Sequence, residues 1–194
     1  MEPDVGGTWW DPRVKVVQRG SNDPDAMFGV VLPGNGYPAL APMLHWPARL
    51  LAAGGWRLAV VSWSPETEGG GDPVAFVLRA LQEAAGDAVP DLLLAKSLGT
   101  LAAPWAVEHD VPGVWLTPLL GEAPVLAAIR AMDERSIAIG GGADRHWRAG
   151  SLVGAEIESF EVPGADHSLE LPDWRASLTA QSQVFERLAE HLGA

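Results

Sequence analysis

Apolar runs and stretches of helical period alternate along most of the chain. Residues 14–19 read as an edge strand. Residues 26–32, Ala-Met-Phe-Gly-Val-Val-Leu, are apolar throughout and suit a central strand buried on both faces. Further strands are expected at 57–63, 91–95, 114–117, 136–139 and 157–162. Helices fill the intervals. One is expected from Pro47, an imino acid suited to a first turn, through Leu50, Leu51 and Ala52 to the stop at Gly54-Gly55. A second has Asp72 as its cap and Pro73 at its first position. Val74, Val77, Leu78 and Leu81 follow at helical spacing, and Gly86 ends it. Others are expected from the residues after 96 to about 110, over 123–132, and from the Asp173 cap onward. Leu178, Phe185, Leu188 and Leu192 line one face of the last, which ends at Gly193. The linking stretches, Pro33 to Pro38 and 66–71 above all, are too rich in Gly or in flexible polar residues for regular structure. This order predicts an α/β fold: a doubly wound, mostly parallel sheet of six or seven strands with helices on both faces. Residues 1–194 form a single domain, with no repeat or linker.

Composition narrows the functions such a sheet could serve. Thirteen basic against 25 acidic residues give a net charge of −12, which disfavours nucleic acid and anionic membranes as partners. No apolar run approaches the ~18 residues of a membrane helix. The acidic start, Met1-Glu2-Pro3-Asp4, lacks the basic region of a secretory leader, so a cytoplasmic protein is expected. The absence of cysteine excludes disulfides, thiolate metal sites and a cysteine nucleophile. No pair of histidines has helical ligand spacing, so neither a metal nor a cofactor is expected. Residues 34–39, Gly-Asn-Gly-Tyr-Pro-Ala, formally fit a dinucleotide fingerprint. However, Pro38 interrupts the place where its helix should start, and the strand at 57–63 ends without the acidic residue that holds a ribose. Nine tryptophans imply large aromatic packing surfaces.

In an open parallel sheet, chemistry collects in the loops beyond the carboxyl ends of the strands. Three such loops carry candidates. The strand at 91–95 turns through Lys96-Ser97-Leu98-Gly99 into a small-residue helix; the strand ending at Ile139 runs into three glycines and Asp144; the strand ending at Val162 runs into Pro-Gly-Ala-Asp166-His167. The first resembles the nucleophile elbow of the α/β-hydrolase family, where a serine on a sharp strand-to-helix turn needs small residues two before and two after it. Here these are Ala95 and Gly99; the family more often has glycine at the first place. Ser, Asp, His is also the family's order of triad residues.

The resemblance, which spans about residues 26–192, implies roles for these residues. Ser97 would be the nucleophile, His167 the base, and Asp144 the acid that orients it, with Asp166 a rival acid and His146 a rival base. The backbone N–H of Leu98 and that of Asn35, with Gly36 as the alternative, would form the oxyanion hole. His45, His109 and His191 read as structural or solvated. Gly36, Tyr37, Lys96, Thr117 and Trp147 are candidates for pocket lining, although Trp147 also reads as core or rim. Lys96 is expected to point away from the site as a structural or solvated cation. Only about one helix fits between the strand at 114 and the loop of Asp144, which leaves no room for a lid. The chain is therefore similar to small lidless bacterial serine hydrolases. That likeness implies a serine hydrolase acting on a small ester, thioester or related acyl substrate through a Ser-Asp-His triad and an acyl-enzyme, with no cofactor. The other reading is a binding or regulatory protein that keeps this fold without catalysis.

Overall fold

The structure is a computed structural model and describes residues 14–63 and 71–193. Seven strands form one sheet: β1 (Lys15–Gly20), β2 (Phe28–Leu32), β3 (Arg57–Ser62), β4 (Leu92–Lys96), β5 (Gly113–Leu116), β6 (Ile137–Gly141) and β7 (Glu158–Val162). Their order across the sheet is β1-β3-β2-β4-β5-β6-β7. Only β1 runs antiparallel, at the edge against β3, and the other neighbours pair in parallel. The central strands are buried along their whole length because helices cover both faces.

The helices are α1 (Pro42–Ala53), α2 (Pro73–Ala85), α3 (Ala103–Glu108), α4 (Ala123–Arg130) and α5 (Trp174–His191). Successive strand side chains point to opposite faces, and so they divide into two cores. Val30, Leu32, Leu93, Ala95 and Trp115 pack with Phe76 and Val77 of α2, Ala106 of α3 and Ile129 of α4. Val31, Leu94, Val114, Leu116 and Ile139 pack with Met43 and Leu44 of α1 and with Val184 and Leu188 of α5. Asp72 caps α2 through the Val74 N–H at 2.9 Å, and Asp173 caps α5 through the Ala176 N–H at 2.9 Å, as the sequence predicts.

Several boundaries differ from the sequence expectation. Helix α1 starts at Pro42, not at Pro47, which is buried inside it. Pro42 already supplies a proline in the first turn, and the Ala41 carbonyl accepts from the N–H groups of Leu44 and His45. Pro47 lies one turn further in and leaves one helical hydrogen bond unmade. The segment after Ser97 begins as a 3₁₀ turn (Ser97–Ala102) and becomes α-helical only at Ala103; Pro104, which lacks an N–H, lies at the junction. Leu178 is exposed, and the buried face of α5 is made instead by Ser177, Ala180, Gln181, Val184 and Leu188. The loop expected at 66–71 falls, except for Gly71, outside the described residues. Between β5 and β6 stands α4 alone, with no layer inserted there among the described residues.

Candidate active site

Strand β4 delivers Ser97 to that edge. Its backbone turns sharply there, with φ at +48°, a left-handed conformation that non-glycine residues seldom adopt. Glycines make the turn possible. A Cβ on Gly99 would stand 2.6 Å from the Leu32 carbonyl oxygen, so only hydrogen fits where the segment after Ser97 crosses β2. On the other side, a Cβ on Gly34 would lie 3.2 Å from that of Ser97, which places the loop after β2 directly against the serine. Thr100 closes the turn by donating its hydroxyl to the Ser97 carbonyl at 2.5 Å.

Strand β6 delivers Asp144 and β7 delivers His167. Here too, glycine sets the approach. Trp147 folds its indole over Gly140, where any side chain would overlap the ring, and donates Nε1–H to Glu161 at 2.8 Å. A Cβ on Gly141 would stand 2.2 Å from the Ala165 carbonyl oxygen. Because it is missing, the two loops close on one another, with the Ala143 N–H donating to that same carbonyl at 2.9 Å.

The three loops join in a chain of hydrogen bonds. His167 Nε2 lies 2.7 Å from Ser97 Oγ, and His167 Nδ1 lies 2.6 Å from Asp144 Oδ2. The Asp144 carboxylate is buried, and its second oxygen accepts the His146 N–H at 2.8 Å. A carboxylate can only accept, so it fixes the proton on Nδ1 and leaves Nε2 free to accept from the serine hydroxyl. Asp166, the rival acid, instead accepts the N–H groups of Ser168 and Glu170 and shapes the loop of the histidine. His146 lays its ring against that of His167, with centroids 5.1 Å apart, and accepts from Arg145 Nε. His109 stacks on Trp105, and His191 bonds Glu158, both remote from Ser97 in the fold.

The expected pocket residues divide. Asn35 and Gly36 are exposed at the tip of the loop beside Ser97. Lys96, Thr117 and Trp147 are buried and line no open surface, which corrects the sequence reading. Lys96 is also neither solvated nor turned away. Its ammonium donates to Thr117 Oγ1 at 2.6 Å and to the main-chain oxygen of His167 at 2.7 Å. It also sits 4.6 Å from the centroid of Tyr37. The half-buried Tyr37 thus serves as a floor, with its hydroxyl oxygen accepting the Met43 N–H at the start of α1. The sequence offered one signal for this role: a lysine at the carboxyl end of a strand whose other residues are all apolar. Beside the histidine, a shallow pocket of about 270 Å³ opens between Ala143, Asp144, Arg145, His146 and His167.

The surroundings act on the base. Burial disfavours the imidazolium of His167 and moves its pKa below 6.5; Asp144 opposes this and the Lys96 ammonium adds to it. Burial likewise lowers the Lys96 pKa to about 8, against the pull of Asp144, Asp166 and Glu170. Among the described residues, no group of three or more His, Asp or Glu is placed to hold a metal ion, and no helix is long and apolar enough to cross a membrane.

No family model matches the sequence, and no curated protein matches it at a significant level. Solved structures do match in fold. An α/β serine hydrolase homologue from Coxiella burnetii superposes over 99% of both chains with a TM-score of 0.66 at 14% identity. A Xanthomonas campestris α/β serine hydrolase without a lid covers 99% of this chain and 95% of its own, with a TM-score of 0.62 at 14% identity. A structure from a study of carboxylesterases of the thaumarchaeon Nitrososphaera gargenis covers 93% of this chain and 94% of its own, with a TM-score of 0.65 at 13% identity. Strand order, the strained serine turn and these superpositions agree: the chain has a minimal α/β-hydrolase fold.

Proposed function

We propose that this protein is a serine hydrolase that cleaves a small or exposed acyl substrate, an ester or thioester, through an acyl-enzyme. The observation that carries the reading is the continuous Ser97–His167–Asp144 hydrogen-bond chain, with links of 2.7 and 2.6 Å, ending on a serine held at φ +48°. In this mechanism His167 Nε2 takes the hydroxyl proton as Ser97 Oγ attacks the acyl carbon. Asp144 stabilises the imidazolium formed, and the N–H groups of Leu98 and Asn35 receive the oxyanion. The imidazolium then protonates the leaving alcohol or thiol. Water, deprotonated by the same nitrogen, attacks the acyl-enzyme, and the proton returns to Ser97 as the acid leaves. The lidless serine hydrolase among the similar structures supports this reading, as does the open carboxyl edge between β5 and β6, which suits a small or exposed substrate.

The test is hydrolysis of a series of acyl esters of graded chain length by the wild type and by Ser97→Ala. Turnover that is lost in a folded Ser97→Ala supports the proposal. Failure of the wild type to turn over any ester or thioester would instead favour a binding protein that keeps the fold.

A further inference from the structure

Lys96 is among the largest fully buried side chains in the structure, at 1% exposure, and among the described residues no carboxylate lies within ion-pair distance of it. A lone buried cation is an expensive way to fill space, because an apolar side chain of like volume does so without desolvating a charge. Its partners show what it does instead. An ammonium has three donors. Two of them meet Thr117 Oγ1 and the His167 carbonyl, and the charge rests on the face of Tyr37. These contacts reach from β4 to three other segments at the carboxyl edge: the residue after β5, the loop of the base, and the loop beside Ser97. Thr117 is itself held at φ +43°, so its hydroxyl is presented from a constrained backbone. The Tyr37 carbonyl accepts the Gly34 N–H at 3.1 Å, which closes the loop that carries Asn35.

We infer that Lys96 is a positioning residue for the base: it fixes His167 by its main-chain oxygen, ties that loop to the loop of Asn35, and sets a positive charge near the imidazole. This rests on the hydrolase reading only for its kinetic consequence, because the coupling itself is a property of the fold. The groups acting on His167 are Lys96 from β4, Ser97 from the turn, and Asp144 and His146 from the loop after β6. Asp144 favours the imidazolium, whereas Lys96 and His146 oppose it. Removing the lysine charge removes one opposing influence. The imidazole then holds its proton to higher pH, so the acid limb of the rate profile moves up.

Two measurements test this. The chain contains only two lysines, Lys15 and Lys96, so lysine labelled with ¹⁵N at Nζ gives a two-signal spectrum in which the exposed Lys15 is the reference. The Lys96 signal should respond as His167 titrates, and that response should vanish in His167→Asn. This readout needs no activity, so it stands or falls apart from the hydrolase reading. The second is the pH profile of kcat/KM, or of covalent labelling by a fluorophosphonate, for the wild type and Lys96→Met. The variant should react roughly tenfold to a hundredfold more slowly, as expected for a displaced base, with its acid limb shifted up by roughly one pH unit. A Lys96 signal indifferent to His167, or superimposable acid limbs in a folded Lys96→Met, would overturn the inference. If that variant does not fold, the spectrum of the wild type decides alone.

Discussion

Gly141→Ala adds a single methyl group, and the structure says what it meets. The new Cβ would stand 2.2 Å from the Ala165 carbonyl oxygen and 2.5 Å from that of Asp166. A close carbon–oxygen contact is ~3.3 Å, so the two loops must part by about 1 Å. That separation breaks the 2.9 Å bond from the Ala143 N–H to the same Ala165 carbonyl and carries His167 away from Asp144. Overpacking of this kind costs about 1–3 kcal/mol of stability, and a catalytic group displaced by about 1 Å loses about a hundredfold in rate. Gly150→Ala is the control, because nothing lies within 4 Å of a Cβ there. Urea unfolding followed by circular dichroism measures the first quantity, and kcat/KM on the best ester of the graded series measures the second. A folded Gly141→Ala with kcat/KM within threefold of the wild type would refute the argument that this glycine sets the approach of acid and base.

Two further perturbations separate the parts of the site. Asp144→Asn should lower kcat by up to about 10⁴-fold by favouring the wrong imidazole tautomer, whereas Asp166→Asn should act only through loop stability; steady-state kinetics of the two variants would show the reverse ranking if Asp166 were the acid. Lys96 makes stability depend on pH. Its folded pKa of about 8 lies below its ordinary 10.5, so the folded state carries the cost of a buried cation below pH 8, and that cost is relieved as pH rises toward 10.5. Wild type should therefore gain about 2 kcal/mol relative to Lys96→Met between pH 7 and pH 9.5, measured by urea unfolding of both chains at each pH.

The parallel sheet and the placement of Ser97, Asp144 and His167 in three loops were legible because each rests on local pattern. Apolar runs of strand length mark β2 and β4, and Gly or Asp at fixed offsets marks the ends of α2 and the start of α5. The choice of Asp144 over Asp166 was open in the sequence. It turns on where each carboxylate finds N–H donors: Asp166 is occupied by Ser168 and Glu170 within its own loop, and Asp144 keeps Oδ2 for the histidine. Lys96 was misread because a lysine is rarely buried without a carboxylate. Its partners come from Tyr37, Thr117 and His167, segments that are distant in sequence and meet only when the sheet forms. Pro47 and Leu178 misled for the opposite reason. Each fits a local rule, and the packing of α1 and α5 against the sheet selected a different start and a different face.

The central claim is that Ser97 is a nucleophile activated by His167. Mass spectrometry of the protein after treatment with a fluorophosphonate tests it most directly. The account predicts one covalent adduct per chain, located on Ser97, lost in Ser97→Ala and strongly slowed in a folded His167→Asn. No adduct on the wild type, or an adduct on another residue that forms equally fast in Ser97→Ala, would contradict it.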